Sequence, residues 1–343
     1  MICLNDFLAA LKGTEHDKIP VWYMRQAGRY LPGYGEIRRK MSIKEMCRDI
    51  DTTIRVTLEP VNSIGVDAAI IFADIMLPVE SMGFKLDFAE GVGPVISNTF
   101  RADQSLAGIS EFLPSGYGYA TYGAIRKLRQ YHSELPVIGF SGGPLTIASY
   151  LVNGGPDRDL IQTKKLLLSE DRNFKRLLQM VTDMVIVHSR EQMRSGATTV
   201  QIFDSWAGYL SPHQLRIYAD DYLGQITSEL DGSTPVIYFS TQTSSMAEIF
   251  VSAGFRYLSL DWRCDLNSMR YLLRDDVGLQ GNLDPAIVEA SAPAALSEGQ
   301  RIASSMSSFP RYIFNLGHGV LPGTDPETLK ALTRSVHEIH LEH

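Results

Sequence analysis

Residues 68–74 read Ala68-Ala-Ile-Ile-Phe-Ala-Asp74, a short apolar run that ends on a carboxylate. A run of this length and composition predicts a buried strand, and similar runs recur along the chain. Between them lie segments with helical periodicity, so the pattern is that of βα units around a parallel sheet. The candidate strands are Ile19–Met24, Ala68–Ala73, Pro136–Phe140, Thr198–Phe203, Pro235–Phe239, Tyr257–Leu260, Val277–Gln280 and Tyr312–Asn315. Eight such strands predict an α/β fold of the (β/α)8 (TIM) barrel type.

The length of 343 residues fits one such barrel with insertions, since the fold typically needs about 250 residues. After the second strand, residues 79–115 carry glycines, a proline and short alternating stretches, which predict a hairpin-like insertion on one rim. After the first strand, residues 26–41 form a long segment rich in Gly, Pro, Tyr and Arg, and long loops in compact domains are usually functional. No linker composition divides the chain, so we expect a single domain over residues 1–343.

The composition is that of a folded, soluble protein, with 44% hydrophobic and 21% charged residues. The net charge of −7 has the wrong sign for a surface that binds nucleic acid or anionic membrane as a whole. The three cysteines, Cys3, Cys47 and Cys264, are too far apart to predict a disulfide framework or a metal knuckle. No stretch is apolar for long enough to predict a membrane span, and no secretory signal is evident. We therefore expect a cytoplasmic protein.

The first strand leads into a strongly basic segment. It contains Arg25, Arg29 and Arg38, and the five basic residues from position 25 to 40 face one acidic residue, Glu36, which gives a local charge of +4. A solvated charge run is one interpretation. The Gly, Pro and Tyr residues around these arginines, and their place at a strand end, favour an anion-binding loop instead. Arginine forks bind carboxylates and phosphates in bidentate fashion, so these side chains suit such a ligand.

Polar residues also follow the other strands, at the end of a barrel where active sites lie. Asp74 follows strand two, and it is either a helix N-cap or a carboxylate aimed into the barrel mouth. Gly142 follows strand three, where a glycine serves either a tight turn or the close approach of a ligand to the backbone, and Tyr150 lies half a helix further on. Ser205 follows strand four, and His318 lies between two glycines after strand eight. By contrast, His188 lies on an apolar helix face and is expected to pack in the core.

The sequence lacks the motifs of several common kinds of enzyme. The sequence has no phosphate-binding P-loop and no complete dinucleotide-binding glycine pattern, which makes a nucleotide substrate a poor fit. It has no HExxH and no Cys/His set with metal-ligand spacing, so we expect no metal site. Ser205 is not in a GxSxG setting, which argues against a serine hydrolase.

Residues Pro20-Val-Trp-Tyr-Met-Arg-Gln-Ala-Gly-Arg-Tyr-Leu-Pro32 resemble the signature of the uroporphyrinogen decarboxylase family. Further matching motifs follow in the family's order and span nearly the whole chain. They are Ile71–Asp74, Gly142–Tyr150, Phe203–Gly208, Leu260–Trp262, Gln280–Pro285 and Asn315–Gly319.

The resemblance implies a cofactor-free enzyme, commonly a homodimer, in haem biosynthesis. Its members convert the four acetate arms of uroporphyrinogen III to methyl groups, giving coproporphyrinogen III and four CO₂. Matched by motif, the catalytic candidates are Asp74, Arg25, Tyr150 and His318. The substrate-binding candidates are Arg25, Arg29, Arg38, Phe72, Asp74, Gly142, Tyr150, Ser205 and His318. Asp74 would face the pyrrole nitrogens, and a protonated pyrrole ring would accept the electron pair that a cofactor otherwise takes.

The sequence does not select the group that delivers the proton to carbon. Arg25 or a water that it holds, His318 and Tyr150 all remain candidates, and on unperturbed pKa values histidine is the easier acid near neutral pH.

Four residues differ from the pattern associated with the family, namely Gly33, Gly35, Ile43 and Thr241. They lie beside the matched motifs and bear on affinity and loop order.

Two other functions remain as alternatives. A zinc- and corrinoid-dependent methyltransferase would need His or Cys ligands, which the end of strand five, Tyr238-Phe-Ser-Thr241, lacks. A tetrapyrrole-binding protein without catalysis would not need Asp74 and His318.

Overall fold

A parallel sheet organises the chain in the computed structural model, which describes residues 5–102, 106, 108–157, 159–230, 232 and 234–341. The sheet has seven strands in the order β1-β4-β5-β6-β7-β8-β9, and a separate antiparallel pair is formed by β2 and β3. Their bounds are β1 (Ala69–Ile70), β2 (Leu86–Ala89), β3 (Gly93–Ile96), β4 (Val137–Gly142), β5 (Thr199–Phe203), β6 (Ile237–Phe239), β7 (Tyr257–Ser259), β8 (Gly278–Leu283) and β9 (Tyr312–Leu316). Cys3 lies outside the described residues.

Helices occupy most of the connections between these strands. They are α1 (Asp6–Lys12), α2 (Pro32–Arg38), α3 (Ile43–Arg48), α4 (Ile50–Ile64), α5 (Thr121–Tyr131), α6 (Pro144–Asn153), α7 (Ile161–Leu168), α8 (Arg172–Arg194), α9 (Pro212–Tyr218), α10 (Gly224–Glu229), α11 (Ala247–Ser252), α12 (Leu266–Leu272), α13 (Pro285–Ala290), α14 (Ala292–Ser305) and α15 (Pro326–His337). A π-helical turn over Ala219–Leu223 joins α9 to α10. No helix among the described residues is long and apolar enough to cross a membrane.

The first predicted strand, Ile19–Met24, is not a regular strand, so the sheet has seven strands where we expected eight. A single parallel bridge joins Val21 to Phe314 of β9. On the other side, the Asp67 amide just before β1 donates to the Val21 carbonyl at 2.8 Å. The backbone ladder between this segment and β9 does not continue. The Met24 amide donates to the side-chain carboxamide oxygen of Asn315 at 3.0 Å and is not available to a backbone carbonyl. The segment therefore lies between β9 and β1 and contacts both.

Strand β1 is also shorter than the predicted Ala68–Ala73. The Ile71 amide still donates to the Ile138 carbonyl at 3.0 Å. The next amide, that of Phe72, donates instead to the Thr57 hydroxyl of α4 at 3.0 Å. Because the chain leaves the ladder here, residues 72–74 form a loop at the carboxyl end of the sheet.

The sequence pattern predicts one helix from about Ser42 to Ser63 between the first two strands. The structure has two helices there, because Asp49 ends α3 and caps α4 by accepting from Thr52 N at 2.8 Å. The segment 26–41, expected as a loop, contains α2.

Helical periodicity over residues 170–195 predicts a helix with Phe174, Val181 and His188 on one face and Ser169 as its N-cap. Helix α8 buries that face. Its N-cap is Asp171 and not Ser169, since Asp171 accepts from Phe174 N at 2.8 Å.

The described part of the 79–115 segment contains the β2–β3 hairpin, which is docked on helix α6. The Ile96 amide donates to the Gly154 carbonyl, and the Phe100 amide donates to the Leu151 carbonyl, both at 2.8 Å. Residues 103–105 and 107 of this segment lie outside the described residues. The hairpin thus lies beside the carboxyl end of the sheet, and its Pro94 lines the cleft described below.

Candidate active site

An open cleft lies at the carboxyl ends of the parallel strands, where the segment after Met24, the loop after β1 and the end of β9 meet. It encloses about 940 Å³, including the part open to solvent. Aromatic side chains from Phe72, Phe140, Phe203 and Phe239 form much of its wall. Its volume and apolar lining are those of a site for a sizeable organic ligand.

Six of the nine sequence-predicted site residues line this cleft. They are Arg25, Phe72, Asp74, Tyr150, Ser205 and His318. Gly142 is buried outside the lining, where a Cβ atom would collide with the Ile147 side chain. Its missing side chain therefore lets the start of α6 pack closely. Arg29 and Arg38 also lie outside the lining.

Arg25 has a left-handed backbone, with a φ angle of 58°. This conformation costs a non-glycine residue about 1–2 kcal/mol, and such strain is typically found at functional sites. The buried Gln26 side chain holds the turn, since its Nε2 donates to the Ala68 carbonyl at 3.1 Å and its Oε1 accepts from Tyr23 N at 3.1 Å. A Cβ atom at Gly319 would collide with the Arg25 side chain, so this glycine leaves room for it.

The Arg25 guanidinium forms no hydrogen bond or ion pair with any described residue. Its side chain is exposed. Its donors are therefore available to a ligand in the cleft.

Asp74 lines the cleft and is not the N-cap of the helix that follows, which is Met76. Its Oδ1 accepts from Met76 N at 2.8 Å, so it stabilises the turn that begins the Leu77–Met82 3₁₀-helix. Its Oδ2 accepts no hydrogen bond from the described part of the chain. Burial raises the pKa of Asp74, while the Met76 amide and the Arg25 charge oppose that rise. A poorly solvated carboxylate oxygen of this kind suits an N–H donor or a cation.

His318 and Tyr150 are both uncharged near neutral pH. Burial and, to a smaller extent, the positive charge of Arg25 lower the pKa of His318 to about 4. Burial and the charge of Asp74 raise the pKa of Tyr150 to about 12, and its ring stacks on Trp206 at a centroid distance of 4.7 Å. These two side chains therefore act as neutral hydrogen-bonding groups in an apolar wall.

Arg29 and Arg38 act on Tyr34, which packs against the cleft residue Phe72. The Tyr34 ring meets the Phe72 ring edge-on at 5.8 Å. Burial raises the pKa of Tyr34, and the charges of Arg38 and Arg29 oppose that rise. Arg38 donates to the Met41 carbonyl at 3.0 Å, and Arg29 is exposed.

Two of the four departures from the family pattern have a structural role. The Gly33 amide donates to Glu59 Oε1 at 2.8 Å, and a Cβ atom at Gly33 would collide with that carboxylate, so this glycine brings α2 close to α4. The Thr241 hydroxyl donates to the Ser205 carbonyl at 2.8 Å and so supports a cleft residue.

Sequence reasoning missed Asp204, a buried carboxylate directly behind the cleft. Its Oδ1 accepts from Thr146 N at 2.9 Å and from Thr146 Oγ1 at 2.7 Å. Its Oδ2 accepts from the Tyr218 hydroxyl at 2.6 Å and from the Tyr238 hydroxyl at 3.0 Å. Asp204 therefore joins the end of β5, the start of α6, α9 and β6. Side-chain alternation could have indicated it, because Ser205 lines the cleft and its neighbour must then point away.

The described residues contain no cluster of three or more His, Cys, Asp or Glu side chains arranged to hold a metal ion. His188 packs as expected, with its Nδ1 2.6 Å from the Tyr122 hydroxyl and its ring against Phe112 and Tyr117.

Comparison with known proteins gives the family. The sequence matches the profile of the uroporphyrinogen decarboxylase (URO-D) family over residues 4–339. It is 45% identical over 339 residues to uroporphyrinogen decarboxylase of Thermoplasma acidophilum, covering 98% of this chain and 100% of that one. It is 43% identical over 340 residues to the enzyme of the same name from Picrophilus torridus, with 98% and 100% covered.

Among solved structures, a methyltransferase from Methanosarcina mazei superposes with a TM-score of 0.80, covers 97% of each chain and is 19% identical. At that identity the likeness extends to the fold alone. The sequence relatives and the family profile together cover nearly every residue, and on that basis the chain belongs to the uroporphyrinogen decarboxylase family.

Proposed function

We propose that this protein decarboxylates the four acetate arms of uroporphyrinogen III, giving coproporphyrinogen III and four CO₂ in tetrapyrrole biosynthesis. The observation that carries the proposal is that Arg25 and Asp74, both with unused polar atoms, share one cleft with aromatic walls. An arginine suits the carboxylates of this substrate and a desolvated carboxylate suits its pyrrole N–H groups, while the aromatic rings suit its apolar macrocycle.

The reaction needs an acceptor for the electron pair of the breaking C–C bond. Protonation of a pyrrole α-carbon makes the ring a cation conjugated to the acetate arm, and CO₂ then leaves as the pair moves into the ring. A second proton, added to the resulting exocyclic CH₂, completes the methyl group, and the α-carbon proton is released. Each arm thus takes up one proton net and loses one CO₂.

Asp74 would stabilise the cationic ring in this scheme. Its free Oδ2 would accept from the pyrrole N–H groups, and its carboxylate is partly buried. A fixed group aimed at developing charge typically contributes about 10²–10³ in rate. The raised pKa of Asp74 is consistent with such a site, since a cation beside it would restore the stability of the charged form.

Arg25 would bind the reacting or a neighbouring carboxylate and fix its position. With a pKa near 4, His318 is uncharged near neutral pH and is a poor source of the proton for carbon. Tyr150, with a pKa near 12, is a weak acid as well. A guanidinium is by residue type a weaker acid still, so acidity in the free protein does not select among Arg25 or a water that it holds, His318 and Tyr150.

Further parts of the proposal concern architecture and assembly. We interpret the fold as a (β/α)8 barrel in one domain over residues 1–343, with Ile19–Met24 in the position of the missing strand and residues 79–115 as an insertion. The hydrogen bonds that join Val21 to both β9 and the start of β1 support this interpretation. A homodimer is a prediction from the family resemblance, and a cytoplasmic location is a prediction from the sequence composition.

Anaerobic incubation with uroporphyrinogen III tests the activity. After oxidation, separation of the porphyrins by carboxyl number should show the eight-carboxyl species converted to the four-carboxyl species. An unchanged eight-carboxyl porphyrin that still binds the protein would favour a binding protein without catalysis. Dependence on added zinc and a corrinoid would favour the methyltransferase.

Asp74→Asn tests the role of the carboxylate. It should still bind uroporphyrin, and its turnover should fall by about 10²–10³ because the amide carries no charge. Asp284→Asn is the matched control, since Asp284 accepts from the amide two residues ahead, Ala286 N at 2.9 Å, without lining the cleft. Near wild-type turnover of Asp74→Asn would remove Asp74 from the mechanism.

A further inference from the structure

We propose that Arg263 is a further carboxylate-binding residue of this cleft, holding one carboxylate arm of the tetrapyrrole beside His318. The inference rests on the proposed function, which supplies a substrate with eight carboxylates. Arg25 is the one cationic side chain among the residues that line the cleft. Arg29 and Arg38 lie outside that lining, so most of the substrate's negative charge still lacks a partner.

Arg263 follows β7 and lies at the same end of the sheet as the cleft. The segment from Asp261 to Arg263 packs against the loop that carries His318, because a Cβ atom at Gly317 would collide with the Trp262 amide nitrogen. Arg263 itself is outside the cleft lining. Its charge and that of Asp261 both reach His318, where Asp261 raises the pKa and Arg263, to a smaller extent, lowers it. Arg263 therefore lies next to the loop that carries His318, on the β7 side of the cleft.

The guanidinium of Arg263 is held in place from several directions. Its Nη1 donates to Asp261 Oδ2 at 2.5 Å, and its backbone amide donates to Asp261 Oδ1 at 3.2 Å. Its Cζ lies 4.3 Å from the Trp262 ring centroid, a cation–π contact. Asp261 is itself fixed, since its side chain is 1% exposed and Oδ2 also accepts from Gln242 N at 2.8 Å. Ordering the arginine in advance lowers the entropy cost of binding an anion.

The remaining donors of Arg263 are available. Its side chain is 45% exposed. Neither Nε nor Nη2 donates to any residue in the described ranges. In an ordinary solvent-exposed ion pair the arginine stays mobile, and the pair contributes little to stability. Here a buried aspartate and an indole ring fix the guanidinium, and its free edge can take a carboxylate.

The experiment compares Arg263→Ala with Arg274→Ala. Arg274 also pairs with an aspartate two residues away, Asp276, through Nε and Nη2 at 2.9 Å, and its side chain is 58% exposed. It lies between α12 and the start of β8, at the opposite end of the strand from the cleft. Both variants lose an ion pair with an aspartate two residues away, a 1% exposed one for Arg263 and a 44% exposed one for Arg274. Only the loss at Arg263 should affect the substrate.

Two measurements are made on each variant, steady-state decarboxylation of uroporphyrinogen and fluorescence titration with uroporphyrin. Arg263→Ala should raise KM and the uroporphyrin Kd by about 5- to 30-fold, as expected for a charge-assisted hydrogen bond at a partly exposed site. Its kcat should stay within about threefold of wild type, because the contact is made in the ground state as well. Arg263→Lys keeps the charge and loses the two-pronged hydrogen-bonding geometry of the guanidinium. Its KM and Kd should lie between those of wild type and Arg263→Ala.

Values of KM and Kd within about twofold of wild type for Arg263→Ala would overturn the proposal. So would an equal rise in Arg274→Ala, since that would be a general charge effect. The titration needs no turnover, so it separates the two claims. If wild type binds uroporphyrin without decarboxylating it and Arg263→Ala weakens that binding, the proposed function fails and the role of Arg263 stands. If Arg263→Ala does not fold, Arg263→Lys must show the rise in Kd or the proposal fails.

Discussion

Replacing Asp204 by asparagine tests whether one buried carboxylate organises the wall that carries Tyr150 and Ser205. The asparagine carbonyl can still accept both hydrogen bonds from Thr146. Its amide group, however, would face the hydroxyls of Tyr218 and Tyr238, which now donate to Asp204 Oδ2. The Tyr218 hydroxyl already accepts from Leu145 N, so it cannot easily reverse its role.

The magnitude follows from the two bonds that asparagine cannot accept. A hydrogen bond to a charged group contributes about 1.5–3 kcal/mol net, and part of that is recovered if the tyrosines rotate. We therefore expect Asp204→Asn to lower the free energy of unfolding by about 2–4 kcal/mol, out of the roughly 5–15 kcal/mol typical of a domain. Asp204→Ala would strand all four donors and is expected to give little folded protein.

Urea unfolding followed by circular dichroism measures this change, with an unchanged m-value as the sign that the folded and unfolded states are otherwise the same. Tyr238→Phe removes one of the four donors and is the graded control, with an expected loss of about 1 kcal/mol. In the assay, Asp204→Asn should lower kcat/KM by about tenfold at a temperature where it is folded, because Tyr150 and Ser205 lose their common support. A change in unfolding free energy below about 0.5 kcal/mol would refute the reasoning, since that is the scale of surface substitutions.

The other predictions concern Arg29, Arg38 and the buried histidine. Arg29→Ala and Arg38→Ala should each raise KM for uroporphyrinogen or stall the reaction at partly decarboxylated intermediates, and unchanged kinetics would make α2 a surface feature. Burial lowers the pKa of His188 to about 3. Between about pH 6.5 and pH 3 this histidine is therefore protonated in the unfolded chain and neutral in the folded protein. Stability should therefore fall as the pH drops from about 6.5 toward 3, by about 2 kcal/mol at pH 5 from this residue. His188→Gln should make the pH dependence of urea unfolding shallower, and an equal slope in both proteins would contradict this.

Local sequence patterns determined the order of helices and strands and the chemical character of the strand ends. Apolar runs mark strands wherever both faces are buried, which is why seven of the eight candidates are strands of the sheet. Asp74, Ser205 and His318 could be singled out because the carboxyl ends of parallel strands meet at one edge of a sheet. The substrate was predicted from the resemblance to the family, because the spacing of apolar residues carries no information about a ligand.

Contacts between distant segments decided the rest. Ile19–Met24 has the composition of a strand, yet Asn315, almost 300 residues away, takes the Met24 amide that a ladder would need. The five basic residues after it look alike in sequence, and packing places Arg25 in the cleft while Arg29 and Arg38 lie outside its lining. His318 is a good acid by residue type and a neutral group in its pocket, because burial removes the water that would solvate its charge. Desolvation and hydrogen-bond competition depend on neighbours brought in from elsewhere in the chain, so only the tertiary structure sets them.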